Sequence, residues 1–126
     1  MPLDESKPFK PVNIALVTVS DTRTYENDTS GDLLAEFIVE AGHQLVDRVI
    51  ERDDVSQLDA RLHGVIDTEY VDCVILTGGT GLTGRDITPE ALDRVKSKDI
   101  PGFGELFRMR SYDTIGTSTI QSRACA

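Results

Sequence analysis

The residues with the clearest chemistry form one segment, Thr77-Gly78-Gly79-Thr80-Gly81-Leu82-Thr83-Gly84-Arg85-Asp86. Four glycines between positions 78 and 84 let the backbone adopt positive φ and come close to a ligand. Successive unpaired N–H groups in such a turn make a concavity for phosphate-like oxygens, and the hydroxyls of Thr77, Thr80 and Thr83 add donors. Arg85 supplies a guanidinium for an anion, and Asp86 a carboxylate for a metal ion or a proton transfer. The spacing matches neither GxxxxGK[ST], since the lysine is missing, nor GxGxxG. The plainer alternative is a turn that only reverses the chain, but a turn needs neither Arg85 nor Asp86.

The flanking residues say how this segment is held. Val71 to Leu76, with Asp72 and Cys73 inside the run, reads as a buried strand. Thr88 as N-cap, Pro89 at the first helical position and Glu90 in the first turn open a helix to about Ser97. Upstream, Asn13 to Ser20 is a first core strand. Thr29 or Ser30 caps a helix with Leu33, Leu34, Phe37, Ile38 and Ala41 on one face, ended by Gly42. Gln44 to Ile50 gives a second strand, and a helix follows with Val55, Leu58, Leu62, Val65 and Ile66 along one stripe.

Strand alternating with helix predicts an α/β fold, a three-layer and mostly parallel sheet with helices on both faces. Parallel strands end on a common edge, so Ser20-Asp21, Asp53-Asp54 and the Thr77 to Asp86 segment converge where open α/β sheets bind ligands. Asp21 suits either a turn cap or a site. Asp53 is equally an N-cap for the second helix, a role for which Asp54 competes. A pair of acids, Asp53 and Asp86, beside a phosphate cradle is what a Mg²⁺-nucleotide site requires.

Beyond the third helix, Phe103 to Ser111 reads as a helix buried through Phe103, Leu106 and Phe107, with Thr119 capping a last helix from Ile120 to Ala126. Ser118, Ser122 and Arg123 are candidate second-half contacts to an anion, against a plain reading as helix caps and a solvated arginine. Residues 1–12, rich in proline, form an arm, and residues 13–126 a single domain; the length suits one core. Net charge is −9, with 6 Lys+Arg against 16 Asp+Glu in residues 1–84 and 7 against 6 in residues 85–126, which disfavours a nucleic-acid partner. No window reaches the ~18 apolar residues of a membrane span and no secretory signal is apparent, so a soluble, cytoplasmic protein is expected. Cys73 and Cys125 are too far apart in sequence for a metal pair, and Cys73 is expected to be a buried, reduced thiol.

TGGTGLTGRDITPEAL, then PGFGELFRMRSYDTIGTSTIQSRA, with Val17 to Asp21 and Asn27 to Gly31 upstream, resembles the molybdenum cofactor biosynthesis family of MoaB and MogA, and its MoaB members more closely. The resemblance runs from about Asn13 onward and implies molybdopterin binding. By it, Asp53 and Asp86 are the acids used with Mg-ATP, in a reaction joining AMP to the molybdopterin phosphate with loss of pyrophosphate. It implies molybdopterin contacts at Thr77, Gly78, Gly79, Thr80, Gly81, Arg85, Ser118, Ser122 and Arg123, with Ser20 and Asp21 on the nucleotide side. A non-catalytic molybdopterin-binding protein of the same pathway is the alternative. The family forms trimers or hexamers, other pathway enzymes are partners, and its members continue with a further strand and helix, so a C-terminal part is expected to be absent here.

Overall fold

Aliphatic and β-branched residues dominate Asn13–Val19, and they form strand β1, buried along almost its whole length. In a computed structural model, which describes residues 2–126, β1 lies between two neighbours. These are β2 (Gln44–Glu51) and β3 (Cys73–Thr77), in the order β2-β1-β3, and both pairings are parallel. Helices α1 (Thr29–Glu40) and α2 (Val55–Ile66) make the crossovers, and α3 (Thr88–Val95) and α4 (Pro101–Ile115) follow the last strand. The expected α/β fold is the one formed.

Alternation along β1 distributes the helices. Val17 and Val19 pack with Leu58 and Leu62 of α2 and Ala91 of α3. Thr18, between them, faces the other way, and its hydroxyl donates to Asp28 Oδ2 at the start of α1 (2.7 Å). One face of the sheet therefore carries α1 and the other α2 and α3.

Two helix starts differ from the sequence expectation, at α1 and α3, and at α2 the structure decides between two candidates. Asp28, rather than Thr29 or Ser30, caps α1 by accepting from the Gly31 N–H (3.0 Å). It wins because its carboxylate also meets Thr18 and Arg48, and Arg48 reaches Asp32 in turn. Gly31 is required there, since a Cβ would lie 2.0 Å from Asp28 Oδ2. Asp54 caps α2 through Gln57 N–H (2.9 Å), which leaves Asp53 free of that duty. Thr88 does not cap α3; its hydroxyl instead donates to the Gly78 carbonyl (2.7 Å).

The C-terminal part departs further. Phe103, Leu106 and Phe107 are about half exposed, and the inward face of α4 is centred on Gly104 and Arg108. The reason is a crossing segment: the Ala124 carbonyl passes so close that a Cβ on Gly104 would stand 2.4 Å from it. Arg108 Nη1 donates to the carbonyls of Ser122 (3.3 Å) and Ala124 (3.0 Å). Those bonds hold residues 122–126 extended, so the last helix expected from Ile120 to Ala126 does not form. Gly116–Gln121 is a 3₁₀ turn, in which buried Thr119 donates its hydroxyl to the Arg108 carbonyl (2.9 Å).

Cys73 is exposed, contrary to expectation, because β3 pairs only with β1 among the described residues and Cys73 stands at its open rim. Of the arm, Met1 lies outside the described residues. Phe9 rests on the His43 ring (centroids 5.2 Å apart), and the Val12 N–H donates to His43 Nδ1 (3.1 Å).

The Asp28 cluster gives a test. Burial opposes its charge, yet the bonds from Thr18, Gly31 and Arg48 outweigh it and hold the carboxyl below the usual range. A depressed folded-state value means stabilisation present above the unfolded value of about 4 and lost as pH falls through the lower folded value. Asp28→Ala is expected to cost about 2 to 3 kcal/mol at neutral pH, as a lost cap plus a stranded Arg48. Denaturant midpoints should show that deficit narrowing below about pH 4.

Candidate functional site

The strand order brings the site residues together. From β1 the chain crosses to one side to make β2 and then passes to the other side to make β3. The loops that follow β1 and β3 therefore part at the sheet's C-terminal edge and leave a crevice between them.

The glycine segment fills that edge. Gly78 (φ +99°) and Gly79 (φ +70°) adopt left-handed conformations. A Cβ on Gly78 would lie 2.3 Å from the Val19 carbonyl oxygen, so the loop leans directly on the end of β1. A Cβ on Gly79 would lie 2.4 Å from Thr88 Oγ1 and 3.1 Å from Asp53 Oδ1. The carboxylate following β2 thus reaches the turn following β3, as the sequence predicts.

Asp21 ties the three loops. Its Oδ1 accepts from the Asp53 N–H (3.1 Å), and its Oδ2 accepts from Arg85 Nη2 (2.7 Å). The Arg85 guanidinium foremost, then the Asp53 amide, pull the Asp21 carboxyl below its ordinary value. Ser20 acts locally, where its Oγ accepts from the amides of Thr22 (3.1 Å) and Arg23 (3.0 Å) and shapes the turn.

The two acids predicted for the cation are in unlike states. Burial, then the negative charge of Asp21, pushes the Asp53 carboxyl up, and Asp86 adds to that repulsion. The Asp21 backbone N–H and the positive charge of Arg85 act the other way without offsetting that push. Asp86 is satisfied within its own turn: Oδ2 accepts from the Thr83 hydroxyl (2.8 Å) and the Thr83 N–H (3.0 Å). Those bonds, led by the hydroxyl, draw it below the usual carboxylate range. A cation stabilises a carboxylate like Asp53 most, because it relieves a charge that burial and two acidic neighbours disfavour. The donor chemistry fits Mg²⁺, which takes one or two carboxylates and completes its shell with phosphate oxygens and water.

Arg123 is turned onto the loop. Nε donates to the Gly81 carbonyl and Nη2 to the Asp86 carbonyl, each at 2.7 Å, and Nη1 pairs with Glu90. Its own amide donates to the Thr80 carbonyl (2.9 Å). Sequence reasoning marks Arg123 as an anion contact and misses this bracing role along with Glu90. A first-turn acid on α3 is the available signal. Thr77 ends β3. Ser122 is beside Arg123, but its Oγ accepts from the Ala124 N–H (3.3 Å), and Ser118 stands exposed on the 3₁₀ turn, without a hydrogen bond to the glycine loop.

A cavity of about 280 Å³ opens beside the loop, lined by Leu82, Thr83, Asp86, Ile87, Glu90 and Arg123 among others. A larger one of about 550 Å³ lies between β2 and α2, near Asp47, Glu51, Arg61 and Tyr70, and is lined by none of the candidate site residues. Among the described residues no helix is long and apolar enough to cross a membrane.

A family model described as "Probable molybdopterin binding domain" matches residues 15–125. Molybdenum cofactor biosynthesis protein B of Escherichia coli (strain K12) is 46% identical over 121 residues, covering 96% of this chain and 71% of that protein. The protein of the same name from Bacillus subtilis (strain 168) is 46% identical over 130 residues, covering 100% of this chain and 76% of the relative. A crystal structure of Molybdenum cofactor biosynthesis protein B superposes with a TM-score of 0.88 at 46% identity, over 94% of this chain and 74% of that one.

The glycines are testable apart from any ligand. Gly78→Ala forces a side chain into a left-handed conformation and against backbone, and should lower stability by about 3 kcal/mol in denaturant titrations. Gly84→Ala, with nothing within 4 Å of the added methyl and no positive φ, should leave the midpoint nearly unchanged.

Proposed function

The chain belongs to the molybdopterin-binding family of molybdenum cofactor biosynthesis proteins matched over residues 15–125, and on that premise we propose that it adenylylates molybdopterin with Mg-ATP, giving adenylyl-molybdopterin and pyrophosphate. The observation that carries this reading is the Asp53 carboxylate, half-buried and pressed by the charges of Asp21 and Asp86, within reach of a glycine loop suited to phosphate.

In the proposed reaction an oxygen of the molybdopterin phosphate attacks the α-phosphorus of ATP. A phosphorus–oxygen bond forms there, and the bond to the pyrophosphate group breaks. The chain's contribution is to hold two anions in line. Amides of Gly78 to Thr80, with the hydroxyls of Thr77 and Thr80, face phosphoryl oxygens, Gly81 borders them with its amide held by the Asp86 carboxylate, and Arg85 offsets charge that builds up as pyrophosphate departs. Ser20 and Asp21 border the nucleotide. Ser118, Ser122 and Arg123 border the pterin side, where Arg123 acts through the loop it braces. Asp53 and Asp86 would hold Mg²⁺, which supplies charge neutralisation at the phosphates when bound. Because protons compete for a carboxyl whose value is raised, cation binding should weaken as pH falls, beginning above the ordinary carboxylate range.

We place this activity in the cytoplasm, in a homo-oligomer, trimer or hexamer, that exchanges the pterin with other enzymes of the pathway. Half-exposed Leu33 and Phe37 on α1 and Phe103, Leu106 and Phe107 on α4 are apolar surface suited to contacts between copies. Light scattering should return a trimeric or hexameric mass, and a monomer would count against this part.

The deciding experiment incubates the protein with molybdopterin and Mg-ATP and follows adenylyl-molybdopterin and pyrophosphate. Asp53→Asn and Asp86→Ala are expected to lower turnover by about a hundredfold or more. Retained pterin binding with no adenylylated product would make the chain a non-catalytic binder of the same pathway.

A further inference from the structure

The Asp21–Arg85 pair spans the crevice, joining the loop after β1 to the glycine loop across 64 positions of sequence. The Arg85 side chain is 72% exposed and that of Asp21 28%, so the pair can open without unfolding anything. Exposed ion pairs are weak, and a multiply charged phosphate competes well against a single carboxylate for a guanidinium. Arg123, the other guanidinium at the loop, is committed to the Gly81 and Asp86 carbonyls and to Glu90. Of these two arginines, Arg85 is therefore the one free to change partners.

We propose that Asp21 is a displaceable internal counter-ion, which occupies Arg85 until a polyanionic phosphate takes the guanidinium and so sets how much negative charge a ligand must bring to enter. This rests on the glycine loop being a phosphate site. Its consequence is selectivity: a ligand carrying one carboxylate gains nothing by replacing Asp21, whereas a di- or polyphosphate does. Once displaced, Asp21 Oδ2 adds its charge beside Asp53 while Oδ1 keeps the Asp53 amide, so the arriving anion sharpens the demand for a cation at that corner. Anion and cation capture then reinforce one another, a coupling that must be reciprocal.

The test is a double-mutant cycle read by calorimetric binding of inorganic pyrophosphate, without divalent cations, at low and moderate salt. Asp21→Asn keeps an oxygen for the Asp53 amide and removes only the charge that holds Arg85. It should tighten pyrophosphate about three- to fivefold when Arg85 is present, the scale of an exposed pair, with the gain shrinking as salt rises. In the Arg85→Gln background the same change should gain less than about twofold. Equal gains in both backgrounds would mean that Asp21 acts only as background charge, which overturns the proposal and leaves the phosphate site standing. No pyrophosphate binding by any of the four proteins, each folded by circular dichroism, overturns the phosphate site and the counter-ion together.

Discussion

A loop that turns its amides toward a ligand must turn its carbonyls somewhere else, and each of those needs a donor. Here they find them. The Gly78 carbonyl takes the Thr88 hydroxyl, and the Gly79 carbonyl takes the Thr88 amide (3.0 Å). Thr80 is served by the Arg123 amide, and Gly81 and Asp86 by the Arg123 guanidinium. The Thr83 carbonyl accepts from the Asp86 N–H (3.0 Å), while the Asp86 side chain bonds back to Thr83. The cradle is therefore held from behind, by one threonine on α3, one arginine on the C-terminal strap and one aspartate within the turn. Its shape does not depend on an occupant.

Charge at this edge is arranged by contrast. Asp86 and Asp21 are each drawn low by donors, whereas Asp53, a short distance away, is driven up by burial and by its acidic neighbours. Environments that push like groups apart mark different duties. Asp86 keeps the turn closed, Asp21 ties loops, and Asp53 keeps an unmet electrostatic demand. In a chain of net charge −9, a phosphate-bearing ligand is met mainly by backbone dipoles and local guanidinium rather than by any general attraction.

The order of elements, the convergence of three loops and the glycine turn are legible in the sequence because they follow from periodicity and from residues with few conformational options. The choice between Asp53 and Asp54 is not, since both positions carry the same cap-forming side chain and only the direction of the chain leaving β2 decides. The buried face of α4 lies one residue, about a third of a helical turn, from where its apolar pattern points. Phe103 and Phe107 carry the stronger apolar signal, but Gly104 is the position where another segment crosses, and a missing side chain gives no hydrophobic pattern. Arg123 is legible as a site residue for the wrong immediate reason: spacing cannot tell a guanidinium aimed at a ligand from one aimed at carbonyls.

The bond from Arg123 to Gly81 joins residues 42 apart in sequence. During synthesis the ribosome releases the glycine turn well before the side chain that steadies it. Until that arginine emerges, the carbonyls of Thr80, Gly81 and Asp86 lack the partners they have in the finished fold. The finished shape of the loop thus waits on a residue made after all three strands of the sheet.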